Sequence, residues 1–149
     1  MRYRTGILLV TLAAISMALF TCGKKAPPFL PERTMPLRVG HLEAGRENGT
    51  VILRGSIIGP QGISLKNENI IGCRVYHVWY SLTDAPCEGC PINYRGFKEI
   101  KGEVTQKGKF YCPFPGIEKK GFHFFEVQLI GKNGALGARS NRTKLRIDE

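Results

Sequence analysis

Acidic residues are scarce in this chain, and no stretch of it has a helical period. Only 12 Asp and Glu stand against 22 Lys and Arg, for a net charge of +10. Such a surplus favours anionic surfaces, either lipid headgroups or acidic polymers. No run of five or six basic residues occurs, so the charge is spread over a solvated surface. No apolar run reaches the ~20 residues that a membrane-spanning helix needs. A Gly-x-Ser-x-Gly elbow and a dense carboxylate cluster are both missing, which leaves nucleophilic and paired-carboxylate catalysis without visible machinery. We therefore expect no enzymatic activity and no cofactor. What remains, at 149 residues and 42% apolar, is enough for one domain with extensions.

The chain opens on a short basic segment, Met1 to Arg4, followed by fifteen uncharged residues from Gly6 to Phe20. These are the length and flanks of a secretory signal peptide, with no stop-transfer flank after it. Leu19-Phe20-Thr21-Cys22 then resembles the bacterial lipobox, in which a Cys is lipidated and becomes the first residue of the mature protein. Phe20 and Thr21 are bulkier than the residues that family prefers. The resemblance implies removal of residues 1–21, lipid on Cys22 and a membrane anchor. A diacylglycerol plus an amide-linked chain supplies the two lipid signals that stable anchoring needs. In the usual sorting pattern Asp after the Cys retains the protein at the inner membrane. Gly23 stands there, which implies the outer membrane, facing the periplasm. Without Arg2 and Arg4, 20 basic residues against 12 acidic ones leave +8. An exported address also argues against nucleic acid as a partner.

Residues 22–36 hold Pro27, Pro28, Pro31 and Pro36 and read as an extended tether. At ~3.1 Å per residue the fourteen residues after Cys22 span about 43 Å at most. The domain is then expected over 37–149. The best strands are Gly72–Tyr80 and Phe122–Ile130, rich in β-branched and aromatic residues. Thr50–Leu53 and Arg142–Ile147 follow, with weaker strands at Leu37–Ala44, Phe97–Val104 and Lys109–Cys112. Asn133-Gly134 marks a hairpin turn, and Asn48-Gly49 reads as a turn rather than a glycosylation site. The fold class expected is all-β, a seven-stranded antiparallel sandwich. By alternation Cys73, Val75, His77 and Trp79 share one face of their strand, and Phe125, Val127 and Leu129 one face of theirs. Both sets are assigned to the core, with Trp79 towards its edge.

The order of these segments is similar to a fibronectin type III domain. Val51-Ile52-Leu53-Arg54-Gly55 matches the family's second strand, with Gly55 in the place of its Trp. Gly72-Cys73-Arg74-Val75-Tyr76 matches the third strand. The sixth strand is matched by the alternation of His123, Phe125, Val127 and Leu129, and Ser140-Asn141 leads into the last. An immunoglobulin domain would place Cys on the second and sixth strands around Trp79, and the cysteines here do not fall there.

Four Cys remain after Cys22, an even number suited to disulfides in an oxidising compartment. The pairing expected is Cys87–Cys90 as a small clip and Cys73–Cys112 across the domain. Cys87-x-x-Cys90 is also a redox motif and half of a zinc site. Redox chemistry wants a helix to stabilise the thiolate, and none is predicted after Pro91. Zinc would need two further ligands, for which Cys112 and His77 are the candidates, yet no second Cys-x-x-Cys accompanies them. His41, His77 and His123 lie on different predicted strands and read as core-edge or surface residues.

Three function classes follow. The first is a lipid-anchored envelope module that binds an envelope protein or glycan through edge strands and the Pro60–Asn69 and Thr83–Tyr94 segments. The second rests on Cys22-Gly23-Lys24-Lys25-Ala26-Pro27, which resembles the start of a small lipoprotein assisting assembly of the lipopolysaccharide translocon. The third is a thiol-redox or zinc protein using Cys87 and Cys90.

Overall fold

The computed structural model describes residues 33–60, 70–87 and 89–148, all within the compact unit that starts at Glu32. The expected signal peptide, Cys22, most of the tether and residues 61–69 lie outside the described residues. Nine strands follow one another: β1 (Thr34–Glu47), β2 (Thr50–Ile58), β3 (Ile70–Tyr80), β4 (Phe97–Lys101), β5 (Thr105–Gln106), β6 (Lys109–Phe114), β7 (Gly121–Gly131), β8 (Leu136–Ala138) and β9 (Thr143–Ile147). The all-β class expected from the sequence holds. β1 starts ahead of Leu37, so Pro36 belongs to a strand and not to the tether.

The strands form one curled sheet in the order β4-β3-β7-β8-β1-β2-β6-β5, with β9 paired to β7 beside that path. Two details of the expected fold need correction. Among the described residues there are nine strands rather than seven, and the sheet is mixed, because β8 runs parallel to β1. The extra strands are β5 and β8, and the parallel pairing traces to β8. The chain leaves β7 through the turn at Lys132–Gly134, where Asn133 has φ 64° and Gly134 φ 73°, and Ile130 then pairs with Leu136. Instead of continuing along β7, β8 lies against β1, with Leu136 N–H donating to Arg33 O at 2.8 Å. Gly137 permits this approach, since a Cβ there would sit 2.2 Å from Leu37 O. At Ser140 the chain returns to β7: Ser140 N–H donates to Val127 O, and Val127 N–H to Ser140 Oγ, at 2.8 and 2.9 Å. β9 then pairs with the first half of β7.

The β1–β2 hairpin closes on the two-residue Asn48-Gly49 turn, at φ 48° and 78°, with Glu47 opposite Thr50. β1 carries a bulge between Gly40 and Glu43, with His41 at φ 50°. Gly55, which stands where the resembled family has Trp, faces that bulge. A Cβ on it would lie 2.6 Å from Val39 Cγ1 and 2.9 Å from Gly40 O, so the bulged strand occupies the space a larger residue would need.

One core serves both ends of the curled sheet. Val51, Leu53, Phe110 and Cys112 from β2 and β6 pack in it with Cys73 and Val75 from β3 and with Phe125, Val127 and Leu129 from β7. The expected core faces of β3 and β7 are therefore observed, with His77 and Trp79 half-buried at the margin.

Candidate binding surface

The antiparallel register of β3 and β7 places Trp79 opposite His123 and His77 opposite Phe125. Two of the three histidines thus become diagonal neighbours on one face. Their rings stack at 5.3 Å with 7° between planes, and His77 Nε2 lies 3.0 Å from His123 Nδ1. His123 Nε2 lies 2.7 Å from Lys119 O. A carbonyl only accepts, so His123 carries its proton on Nε2 and accepts on Nδ1, while His77 donates from Nε2. Burial, then the neighbouring His123, pulls the pKa of His77 down to about 4. Burial lowers that of His123 as well. The sequence reading kept these residues apart; the shared parity of His123 and Phe125, set against His77, was the signal of the pair. His41 stands alone on the β1 bulge, exposed.

Cys87 and Cys90 are joined as a disulfide, with Cα atoms 5.3 Å apart. In this state neither sulfur offers a thiolate to a metal. Arg142, just before β9, donates to Cys90 O at 2.6 Å and so pins the clip beside β7 and β9. Pro86, Cys87 and Gly89 form a hollow of about 240 Å³ with Phe124, Arg142 and Lys144. Cys73 on β3 and Cys112 on β6 meet inside the core as two thiols with Sγ atoms 3.7 Å apart. The hydrogen bond to Cys112, and after it burial, pushes the Cys73 thiol far above its ordinary pKa. It is therefore a poor nucleophile. Among the described residues no three of His, Cys, Asp and Glu gather closely enough to hold a metal ion.

The outer face of β3, β4, β7 and β9 carries a pattern that motif searching missed. Alternation puts Arg74, Tyr76 and Tyr80 of β3 on one side with Phe122 and Phe124 of β7, Lys144 and Arg146 of β9, and Phe97 of β4. Cations lie over rings along this face. Arg139 sits 4.0 Å from the Tyr76 centroid, Arg74 4.4 Å from Phe97, and Arg142 5.9 Å from Phe124. Lys144 and Arg146 flank Phe122 at 5.4 and 5.7 Å. Tyr94, from the loop ahead of β4, packs edge-on against Tyr76 at 6.0 Å. Phe97 remains 49% exposed. The signal in the sequence was the alternation of basic residues in Arg142–Arg146 opposite the aromatic positions of β7.

No protein-family model matches the chain, and no curated protein matches it. Among solved structures it is similar to part of the pectate lyase Pel3 from Pectobacterium carotovorum, with a TM-score of 0.39 and 12% identity over 72% of this chain. The likeness spans 26% of that enzyme, about a quarter of its length.

Proposed function

We propose that this chain is a lipid-anchored envelope lipoprotein whose domain, similar to a fibronectin type III β-sandwich, is a non-enzymatic binding module. In this reading residues 1–21 are removed, lipid on Cys22 holds the protein at the outer membrane facing the periplasm, and the Pro-rich segment lifts the domain clear. Support for the sandwich comes from the two ends of the curled sheet, which share one core. β4-β3-β7-β9 form one layer and β1-β2-β6-β5 the other.

The observation that carries the binding role is the face of cations stacked on rings. Arg and Tyr contribute disproportionately to interface energies, and rings held between neighbours lose little freedom on contact. Two of the histidines and the four cysteines of the domain are engaged with one another, in the His77–His123 and Cys73–Cys112 pairs and the Cys87–Cys90 bond.

The test is the intact mass of the protein extracted from its native membrane and alkylated without reduction, followed by crosslinking in intact cells. A mass lacking residues 1–21, carrying lipid and yielding a discrete crosslinked partner supports the reading. An unlipidated chain overturns the anchor. Crosslinking that Arg139→Ala and Arg74→Ala leave unchanged overturns the assigned face.

A further inference from the structure

A groove of about 560 Å³ opens where β3 runs on past its pairing with β4. Its walls are His77 and Trp79 of β3, Phe97 and Lys98 of β4, Phe114 at the end of β6, and Arg95 just ahead of β4. Bonds from the β6–β7 loop hold two of these rings. Trp79 Nε1–H donates to Lys120 O at 2.8 Å, and His77 is held through His123 to Lys119 O. Because His77 donates from Nε2, its Nδ1 is left as an acceptor.

The charge around this groove is of one sign. No Asp or Glu lines it. Arg95 and Lys98 are in the wall, Lys98 lying 5.3 Å from the Phe114 centroid, and the Lys119 ammonium stands 3.2 Å from that of Trp79. Ion pairs among the described residues engage Arg54, Arg74, Arg139 and Arg146, and none of these three. Aromatic walls with a few convergent polar groups are what a small-ligand site requires.

We infer that this groove binds a sugar ring carrying a carboxylate or phosphate group, as a unit of an acidic glycan. The apolar face of such a ring covers the aromatic walls, its hydroxyls meet the His77 acceptor, and its anion meets Arg95 and Lys98 in charge-assisted bonds. An acidic peptide would satisfy the cations through flexible side chains but has no rigid ring to set against the aromatic ones. The inference rests on the binding-module reading and names its ligand class.

Trp79 is the sole tryptophan, so its emission reports occupancy directly. The full lipidated chain in detergent is titrated with a glucuronate-containing oligosaccharide, with glucosamine 6-phosphate, with a neutral N-acetylglucosamine oligomer and with polyglutamate. A saturable change with at least one anionic sugar is expected, and the responding probe identifies the anion. The neutral oligomer binds at least about tenfold more weakly, and Arg95→Gln and Lys98→Gln each weaken the anionic sugar about tenfold. Both side chains are exposed, and an unchanged circular dichroism spectrum shows that the variants fold. Silence with both anionic sugars at millimolar concentration overturns the inference. An equal response to polyglutamate also overturns it, in favour of a peptide. Failure here is separable from failure of the parent reading: a silent groove leaves the lipid and the crosslinked partner intact, whereas an unlipidated chain removes the anchor and leaves the titration unaffected.

Discussion

The Asn141 side chain takes the place of a neighbouring strand for Leu42. Its Oδ1 accepts from Leu42 N–H at 2.7 Å, and its Nδ2 donates to Leu42 O at 3.1 Å. Leu42 sits in the β1 bulge, where the ladder to β2 is interrupted, so a residue 99 positions later supplies both missing bonds. Asn141→Ala leaves both backbone groups partly buried and unpaired. We expect a loss of about 1–3 kcal/mol in urea unfolding. Asn141→Asp keeps the acceptor alone and should cost less than Ala; equal losses would remove the role assigned to Oδ1.

Acid should weaken the fold through His77 and His123. Both have pKa values lowered by burial, His77 from 6.5 to about 4. The unfolded chain thus takes up protons first, and this contribution is whole above pH 6.5. It is lost as the pH falls from 6.5 towards 4, and levels off below that. The measurement is the urea midpoint at pH 7 and at pH 4.5. His77→Gln should shrink the drop between them, and an unchanged drop would mean that other groups cause it.

Across the core, the Cys73 and Cys112 sulfurs face each other 3.7 Å apart. We expect the protein from an oxidising compartment to contain that bond, closing a loop over a separation of 39 residues. In the chain-entropy model it adds about 4 kcal/mol. Mass analysis after alkylation in denaturant decides the matter: two alkylated thiols mean that the pair stays reduced.

At Gly55 the bulge leaves no room for a side chain. Gly55→Ala should cost about 1–3 kcal/mol, because Val39 and the Gly40 carbonyl must shift. Gly55→Trp, the residue of the resembled family, should not fold. Wild-type stability in the Ala variant would show that β1 moves freely at this point.

The long strands were legible because their alternation is dictated by a core that both ends of the sheet share. Cys73, Val75, Phe125, Val127 and Leu129 were assigned to it by parity and are there. β5 and β8, at two and three residues, are too short to carry a period. They exist because turns at Lys107-Gly108 and Lys132–Gly134 deliver the chain beside an existing strand. The parallel pairing of β8 with β1 leaves no local mark, since it depends on where β7 ends. The bulge at His41 is illegible for the same reason. The candidate site was half legible. The cysteine pairs could be proposed from compartment and count, but the histidine pair and the stacked cations required the register between strands.

β1 has consequences for how the domain bears load. It is the first of the described strands, and it is bonded on one side to β2 and on the other to β8. A pull along its axis therefore strains both ladders in parallel, as shear, instead of opening bonds one after another as in a zipper. If drag at a membrane reaches the domain through its N-terminal end, it arrives at a strand that shares the force between two ladders.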